Sequence, residues 1–461
     1  MIENVLRKMT GLMIKRFNGM KFTRINPDFR NGREREVGLY IHIPFCKSFC
    51  SYCTFKKFIY NEKKAESYIA AVKGEIDLYK ERMGKIEIGD VYFGGGTPSL
   101  IPDGLVEITG HLMSRFAVNG TMGLEANPAD ISDNELICDK LKDAGFYKVG
   151  LGVQTFNDEI LKKSNCRHNS AQSVKAVEMV MKKKLHLSVD MLLGLPDQNF
   201  IDVMSDIEKL VELGVPQICP YPVMISSRAK LSNKIEKGLV IPSEKKRKKM
   251  YLAIIDFLTQ RGYNAGVWQF TKQDVKRDYT TCARPDEVIG LGVSAFSITS
   301  PYFYINTTFL EDYISSIADK RLPIAAGIGE HSQYSVSIDE FKGKGENSVF
   351  PDKKKNDMYK NIAEMKALVS VFARRGEIKK ENFKKLNEIM AANFGFSTAI
   401  LQLMKLLGII KTKGEYVVLT KRGNYYFSVM AAYFMPVSGR YGEDILFDEP
   451  FPAEYVFELR G

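Results

Sequence analysis

From Leu39 to Pro222 the chain alternates short apolar runs with longer amphipathic stretches. Short apolar runs indicate strands, and apolar residues spaced three or four apart indicate helices. Strands that alternate with helices in this way predict a parallel sheet with crossover connections. The predicted strands are Gly38–Ile43, Asp90–Phe93, Gly123–Ala126, Lys148–Val153, Leu187–Leu193 and Gln217–Val223. The predicted connecting helices are Ala65–Glu81, Gly104–Phe116, Asp133–Ala144, Ala171–Lys183 and Phe200–Leu213.

The alternation predicts an α/β fold, a partial (β/α)6 TIM-like barrel with its site at the carboxyl ends of the strands. After it, helices at Asp357–Arg375, Lys380–Phe394 and Ser397–Leu407 and a hairpin around Lys413–Glu415 predict a C-terminal winged-helix-like α+β domain. We predict four regions. They are an N-terminal helical extension (1–36), the barrel core (37–225), a mixed region that completes the core (226–354) and the winged-helix-like domain (355–461).

Composition narrows the class of protein. Hydrophobic residues make up 45% and charged residues 26% of the 461 residues, which is typical of a globular protein. Basic residues interrupt the segment Met1–Met20, which predicts an amphipathic helix rather than a signal peptide. No apolar run reaches the roughly 18 to 20 residues that a bilayer span needs. We therefore expect a cytoplasmic protein without a membrane partner.

The net charge of +11 raises the question of nucleic acid binding. The densest basic run, residues 244–249, contains no aromatic residue and is typical of a solvated helix face. The predicted helix Ser397–Leu407 of the winged-helix-like domain contains one basic residue, Lys405, whereas a DNA-recognition helix is rich in them. We therefore do not expect nucleic acid to be a partner.

Three of the seven cysteines form a C-x3-C-x2-C loop, Cys46, Cys50 and Cys53, directly after the first predicted strand. The odd total and the lack of a secretion signal argue against a disulfide framework. Such close spacing suits an iron–sulfur cluster, because one loop can supply several thiolates. Three thiolates leave one iron open to another ligand. The alternative is a zinc site, for which His42 is the nearby candidate for a fourth ligand.

The cysteine loop and further ordered segments carry a family resemblance. The segments are Tyr40–Cys46 (YIHIPFC), Tyr92–Ser99 (YFGGGTPS), Glu125–Pro128 (EANP), Leu151–Phe156 (LGVQTF) and Asp190–Pro196 (DMLLGLP). The chain resembles the radical S-adenosylmethionine (SAM) superfamily and, within it, the oxygen-independent coproporphyrinogen III oxidase-like family. The resemblance implies a radical SAM barrel in which Cys46, Cys50 and Cys53 bind a [4Fe-4S] cluster that cleaves SAM reductively to a 5′-deoxyadenosyl radical. It also implies a tetrapyrrole substrate, related to coproporphyrinogen or haem, and a low-potential electron donor such as flavodoxin or ferredoxin.

The resemblance also implies which residues bind SAM. They are Gly94, Gly95, Gly96 and Thr97, which contact the methionine amino group, and Glu125, Gln154 and Asp190, which orient the molecule. A carboxylate on a buried strand is costly unless it is paired or ligand-bound, which agrees with this assignment. The alternatives are a plain tight turn for the glycines and an internal hydrogen bond of the barrel for each acid.

Tyr40 and His42 alternate along the first strand and therefore point to the same face. They are the predicted catalytic residues: Tyr40 braces SAM near the cluster, and His42 contacts the substrate. A histidine satisfied within the core is the alternative for His42. Gly290 and Gly292 are predicted to seat a second SAM, with a packing turn as the alternative.

The chain departs from the family pattern at two places. Phe55 stands at the position where the coproporphyrinogen oxidases of the family have a further cysteine. The segment Cys282–Asp286 lacks the histidine and tryptophan of the H-N-x3-W segment in related haem chaperones. We therefore predict an enzyme, either an oxidoreductase similar to coproporphyrinogen dehydrogenase or a radical methyltransferase that uses two SAM molecules on another conjugated substrate. An anaerobic haem-opening enzyme and a haem-binding or haem-delivery protein on the same scaffold remain alternatives.

Overall fold

The structure of the chain is a computed structural model. It describes residues 21–23, 25–27, 29, 35–83, 86–225, 229–273, 275, 287–299, 302–328, 368–369, 372–373, 375–394, 399–429 and 454–456. The predicted helix Met1–Met20 and the segment Cys282–Asp286 lie outside these residues. Within the described part, no helix is both long enough and apolar enough to cross a membrane.

The strands are numbered in chain order. They are β1 (Lys21–Thr23), β2 (Arg35–Ile43), β3 (Phe45–Cys46), β4 (Phe58–Ile59), β5 (Ile86–Gly95), β6 (Met122–Ala126), β7 (Phe146–Gln154), β8 (His186–Leu193), β9 (Gln217–Pro222), β10 (Tyr263–Gly266), β11 (Gln269–Lys272), β12 (Val288–Leu291), β13 (Phe296–Thr299), β14 (Tyr302–Asn306), β15 (Ile324–Ile328), β16 (Glu377–Lys379), β17 (Ile410–Lys413), β18 (Tyr416–Leu419) and β19 (Glu454–Val456). The α-helices are Glu62–Met83, Pro102–Arg115, Pro128–Asp133, Ile137–Asp143, Asp158–Lys163, Ser170–Lys182, Phe200–Glu212, Lys230–Glu236, Glu244–Gln260, Leu310–Ala318, Lys380–Phe394 and Ala399–Leu406. Residues 421–429 are also helical.

Seven parallel strands form the centre of the main sheet, in the order β9, β8, β7, β6, β5, β2, β12. Antiparallel strands extend both edges, β11 and β10 beyond β9, and β13, β14, β15, β1 and β19 beyond β12. The edge strands β10 and β19 do not pair with each other within the described residues, so the barrel there is partial and open. The six predicted barrel strands and the TIM-like architecture are confirmed.

Asparagine side chains begin four of the helices on this sheet. Asn127, Asn157, Asn169 and Asn199 each accept a hydrogen bond from a backbone N–H of the first helical turn. Asn127 follows the last residue of β6 directly, and Asn157 lies three residues beyond β7. These short turns set the carboxyl ends of the strands at one edge of the sheet, where a barrel of this type carries its site.

One predicted helix is wrong in its extent. The stretch Asp133–Ala144 is not one helix but parts of two, Pro128–Asp133 and Ile137–Asp143. The chain is extended at Asn134, with φ −138° and ψ 100°, which interrupts the helical hydrogen bonds. The apolar residues on either side keep a helical spacing, so the sequence pattern gave no signal of the break.

Strand β2 shows how the sheet separates its two faces. Leu39, Ile41 and Ile43 are buried in the hydrophobic core, and Tyr40 and His42 point to the opposite face. On neighbouring β5, Tyr92 pairs with Tyr40 and Gly94 with His42, so these residues share the inner face. This inner face, the barrel lumen, carries the polar side chains described below.

The glycine-rich segment is partly a strand, which the sequence did not predict. Val288–Leu291 forms β12 and pairs in parallel with β2, with Gly290 opposite Tyr40. Strands β13, β14 and β15 then continue the sheet as an antiparallel meander. The segment therefore belongs to the main sheet.

The C-terminal elements follow the predicted winged-helix-like order. Helices Lys380–Phe394 and Ala399–Leu406 precede the hairpin β17–β18, and β16 adds an unpredicted third strand to it. Most of the predicted helix Asp357–Arg375 lies outside the described residues. The hydroxyl of Tyr251 donates to Asn424 at 2.7 Å, which joins these elements to the barrel side. The predicted domain boundaries stay a prediction.

Candidate cluster and cofactor site

The cysteine loop folds over the carboxyl end of β2. The backbone N–H of Phe58 donates to Pro44 at 2.7 Å, and that of Tyr60 donates to Cys46 at 2.9 Å, which closes the loop at its base. Within it, the N–H of Cys53 donates to the carbonyl of Cys50 at 3.3 Å. The loop therefore holds three thiols next to the edge where the parallel strands end.

The three thiols have different surroundings. Cys46 is buried, and burial raises the pKa of its thiol to about 11, although the Thr97 hydroxyl donates to its sulfur at 3.4 Å. At Cys50 the pKa is lowered to about 7, first by a hydrogen bond with the thiol of Cys166 and further by Tyr52 and the charge of Lys57. The charges of Cys53 and Cys50 also raise the pKa of Cys46.

The alternative of a zinc site depends on His42 as a fourth ligand. His42 is already engaged: Nε2 donates to the Lys56 carbonyl at 3.2 Å, and Nδ1 then accepts from the Tyr40 hydroxyl at 3.1 Å. A cubane, by contrast, takes each thiolate on a different iron, so three thiols spread along one loop fit it.

Glycines form a backbone edge beside this loop. A Cβ on Gly96 would lie 2.7 Å from the carbonyl oxygen of Phe45, and a Cβ on Gly95 would lie 2.5 Å from the His42 ring. Gly95 also has φ +113°, a conformation that side chains disfavour. A Cβ on Gly94 would lie 3.0 Å from the Tyr40 ring and 3.1 Å from Glu125 Oε1. The absence of side chains therefore lets Tyr40 and Glu125 approach the strand end.

Two acids of the lumen lie close together. Burial raises the pKa of Glu125 to about 7, opposed by one backbone donor, the N–H of Gly95 at 3.3 Å. Burial, then the charge of Glu125, raises the pKa of Asp190 to about 7. Both side chains nevertheless keep partial contact with water. They therefore face an interior space that a ligand can enter.

The sequence analysis missed two lumen residues beside these acids. Lys148 is buried, its ammonium donates to Gln217 at 3.0 Å, and its charge lowers the pKa of Asp190. Cys219 is opposite Asp190 across β8 and β9, and its thiol lowers the pKa of the Asp190 carboxyl. A lysine and a cysteine at alternating positions of otherwise apolar strands were the available signals.

Gln154 ends β7 in a strained conformation. Its φ is +68°, and the pairing of β7 with β8 shifts register between Gly152 and Gln154. A Cβ on Gly152 would lie 2.8 Å from Gln154 Nε2. Bulges and left-handed non-glycine residues cluster next to functional sites, because they redirect a side chain. Gln154 thus shares the strand-end edge with Asp190, as the predicted role requires, and that role stays a prediction.

The predicted catalytic residues, Tyr40 and His42, differ in how exposed their side chains are. Tyr40 lies between His42 and Gly94 and retains partial exposure to the lumen. His42 is buried, burial lowers its pKa to about 4, and both ring nitrogens have partners. A neutral histidine in this setting braces the cysteine loop at Lys56, so its contacts match the alternative of a satisfied core residue.

Close packing accounts for the two glycines predicted to seat a second SAM. A Cβ on Gly290 would lie 2.3 Å from the Phe296 carbonyl oxygen, and a Cβ on Gly292 would lie 2.2 Å from the Tyr68 hydroxyl. Gly292 also has φ +95°. These contacts match the alternative of a packing turn, and a role in SAM binding stays a prediction.

Comparison with known proteins relates part of the chain to one family. The sequence profile described as "Radical SAM superfamily" matches residues 40–210, which include the three cysteines, the glycine edge and both lumen acids. This segment of the chain is similar to the radical SAM superfamily. Enzymes of this superfamily use a [4Fe-4S] cluster and SAM, and the thiol loop and lumen described above provide fitting residues for both.

The relatives of this chain include proteins named heme chaperone and anaerobilin synthase. Heme chaperone HemW of Lactococcus lactis is 33% identical over 233 residues, which are 49% of this chain and 59% of that protein. Anaerobilin synthase of Escherichia coli is 25% identical over 294 residues, 62% of this chain and 66% of that protein. The chain thus matches about three fifths of the length of the first relative.

A solved structure supports the fold over nearly the whole chain. The structure titled "Coproporphyrinogen III oxidase (HemN) from Escherichia coli is a Radical SAM enzyme" superposes with a TM-score of 0.71 and 18% identity. The match covers 92% of this chain and 98% of that one. The predicted resemblance to the oxygen-independent coproporphyrinogen III oxidase-like family is confirmed.

Proposed function

We propose that the chain is a radical SAM enzyme whose cluster is held by Cys46, Cys50 and Cys53 and whose SAM lies in the lumen. The observation that carries the proposal is the pair Glu125 and Asp190. These two neighbouring carboxyls are largely desolvated, and Glu125 has a single long hydrogen bond from the backbone, so the pair favours a ligand that brings donors or positive charge. The ammonium, sulfonium and ribose hydroxyls of SAM supply both.

The residues of the chain would then have separate roles in binding and orienting SAM. The bound cluster and SAM supply one-electron reductive cleavage that yields a 5′-deoxyadenosyl radical. The glycine edge exposes backbone groups to the methionine end of SAM, and Glu125 and Asp190 accept hydrogen bonds from it. Tyr40 and Gln154 limit its position from two sides, as the close contacts with Gly94 and Gly152 indicate. The N–H of Gly95 and the ammonium of Lys148 keep the acids oriented.

A tetrapyrrole is the substrate class we propose. The relatives' names support it. Two apolar side chains at the cysteine loop, Phe55 (61% exposed) and Ile59 (55% exposed), would offer contacts to such a substrate. Phe55 occupies the place of the further cysteine of coproporphyrinogen oxidases, so we propose a reaction other than their decarboxylation. Methyl transfer and haem ring opening are the two candidates.

The electron donor we propose is a low-potential protein such as flavodoxin or ferredoxin. Reductive cleavage requires one electron for each SAM. The chain's net charge of +11 attracts an acidic partner over long range. This attraction predicts that the rate of reduction falls as ionic strength rises.

A haem-delivery protein is the second candidate. It is favoured because the first relative, at 33% identity, is named a haem chaperone. The two candidates differ in product: an enzyme changes the tetrapyrrole, and a carrier returns it intact.

Mass spectrometry of an anaerobic reaction separates these candidates. The mixture contains reconstituted protein, SAM, a chemical reductant, haem and coproporphyrinogen III. A tetrapyrrole of altered mass supports the enzyme, and the mass shift distinguishes carboxyl loss, methyl gain and ring opening. Haem that is bound but unchanged, without 5′-deoxyadenosine or S-adenosylhomocysteine, supports the carrier and contradicts our proposal. The variant Asp190→Ala, with its cluster intact, is the matched control and should give no product.

A further inference from the structure

A buried polar network joins the ends of β5 and β6. After the glycine edge the chain makes a short 3-10 turn, Pro98–Leu100, in which Ser99 is buried. The Ser99 hydroxyl donates to Asp130 Oδ2 at 2.8 Å and accepts from the backbone N–H of Asn127 at 3.0 Å. Asn127 lies two residues beyond Glu125. One hydroxyl therefore connects the glycine edge to the strand that carries Glu125.

The same network reaches the end of β7. Asp130 Oδ1 accepts from the Arg167 guanidinium at 2.5 Å, and the same group donates to Asn127 Oδ1 at 3.1 Å. The side-chain amide of Asn127 lies 3.5 Å from His168 Nδ1, and His168 Nε2 donates to the carbonyl of Val153 at 3.0 Å. Val153 precedes the last residue of β7. The ends of three neighbouring strands are therefore linked side chain to side chain.

Asp130 lies at the centre of this network. It is buried, Arg167 is half-buried, and both carboxyl oxygens of Asp130 accept a hydrogen bond from a side chain. Such a carboxylate holds its neighbours in one arrangement, because any rearrangement would leave a buried polar group unpaired. The three strands that it links end in the glycine edge, in Glu125 and in Gln154, the groups that we assign to SAM.

We propose that Asp130 is a positioning residue for SAM: it holds the ends of β5, β6 and β7 at the spacing at which their groups bind one SAM molecule. A site assembled from three strands needs such support, because a misplacement of about 1 Å is enough to weaken it greatly. The inference rests on the proposed function, since it needs SAM in the lumen. The competing explanation is a network that only stabilises the fold.

The chain offers a matched control at the other end of the same two strands. Asp90 on β5 accepts from the backbone N–H and from the hydroxyl of Thr121, both at 2.8 Å. Thr121 directly precedes β6, so this pair joins β5 to β6 at their amino ends. Asp90 and Asp130 are both 8% exposed. Removing either carboxylate breaks a buried link to a hydroxyl, but only Asp130 lies where SAM is proposed to bind.

The experiment compares SAM affinity with stability in cluster-loaded wild type, Asp130→Ala, Asp130→Asn and Asp90→Ala. Iron and sulfide are measured first, anaerobic equilibrium dialysis gives the affinity, and urea denaturation gives the stability. We expect SAM affinity to fall about tenfold or more in Asp130→Ala. It should recover in part in Asp130→Asn, which keeps an oxygen for Arg167. In Asp90→Ala we expect lost stability with the affinity of wild type.

The contrary outcomes are distinct. Unchanged SAM affinity in Asp130→Ala with a full cluster overturns the proposal. An equal fall in Asp90→Ala also overturns it, because the loss would then follow stability rather than position. If Asp130→Ala does not fold, Ser99→Ala, which removes one hydroxyl of the network, replaces it under the same criteria. A wild-type protein that takes up no cluster, or binds no SAM, contradicts the proposed function and this inference together, which separates that failure from a failure of Asp130 alone.

Discussion

Two carboxyl sites, one on a helix that packs against the barrel sheet and one in the lumen, differ in how fully their hydrogen bonds are satisfied. Glu75, on helix Glu62–Met83, accepts from the N–H of Gly292 at 2.8 Å, from Tyr313 at 2.6 Å and from Asn306 at 2.8 Å. In the lumen, Glu125 accepts from the N–H of Gly95 at 3.3 Å. Burial raises the pKa of both acids to about 7. A raised pKa alone therefore does not distinguish a structural acid from a ligand-binding one.

The hydrogen-bond donors around each acid distinguish the two kinds of site. Glu75 is held by three donors of the fold, and these join the glycine-rich segment to the helix, so its role is complete without a ligand. The charge of Glu125 raises the pKa of Asp190, and both acids face a space that water reaches. Their missing donors are what a cosubstrate such as SAM can provide.

The largest expected effect is on stability, at Glu75. Glu75→Ala leaves the Gly292 N–H and the Tyr313 hydroxyl without an acceptor, whereas the Asn306 amide keeps the carbonyl of Gly292. Each orphaned donor costs about 1–3 kcal/mol, so we expect the free energy of unfolding to fall by about 3 kcal/mol or more. Urea denaturation measures it. Asp77→Ala on the same helix removes a partly exposed carboxylate with surface ion pairs and should cost less than about 1 kcal/mol. Equal losses in the two variants would contradict the structural assignment of Glu75.

The opposite pattern is expected at Glu125. Glu125→Gln removes a poorly satisfied charge, so the free energy of unfolding should stay the same or rise. SAM affinity should fall about tenfold or more, equivalent to about 1.4 kcal/mol. Equilibrium dialysis of cluster-loaded protein measures the affinity, with the exposed Glu159→Gln as control. Lost stability with normal SAM binding would place Glu125 in the same class as Glu75.

The raised pKa values predict a pH dependence of binding. Glu125 and Asp190 are protonated below about pH 7, so SAM affinity should fall about tenfold from pH 8 to pH 6 if one proton opposes binding. The contribution of the two acids to folding stability changes with pH in the opposite direction. Because their pKa is raised in the folded state, this contribution is greatest below the usual carboxyl pKa and is lost as pH rises toward 7. An affinity independent of pH in wild type, or equally dependent in Glu125→Gln, would contradict this account.

The smallest effect concerns the lumen lysine. The ammonium of Lys148 lowers the pKa of Asp190, so Lys148→Met should shift the midpoint of the pH–affinity profile upward, by less than about one pH unit. The same dialysis series over pH measures the shift. A downward shift would mean that Lys148 does not act on the acids through its charge.

The fold was largely predictable from the sequence because the strand–helix alternation is a local property. All six barrel strands lie where their apolar runs predicted them. The break at Asn134 and the strand β12 escaped prediction for different reasons. The first depends on one extended residue within a helical pattern, and the second on pairing with β2, far away in the chain.

The site was predictable where residues adjoin in sequence. The cysteine loop and the glycine edge are contiguous motifs, so the resemblance could carry them. Cys166 acts on Cys50, and Lys148 acts on Asp190, only because the tertiary structure brings them together. The spacing of these residues in the sequence indicates neither pair. His42 is the reverse case. The sequence predicted a catalytic residue, whereas in the structure both of its ring nitrogens have hydrogen-bond partners within the protein.

The central claim is that three cysteines leave one iron open beside a lumen that binds SAM. EPR spectroscopy of the reduced, reconstituted wild-type protein, recorded before and after addition of SAM, tests it most directly. The account predicts a [4Fe-4S]⁺ signal that changes when SAM binds, and a weaker change at the same SAM concentration in Glu125→Gln. A protein without this signal, or a signal that saturating SAM leaves unchanged, would contradict the account.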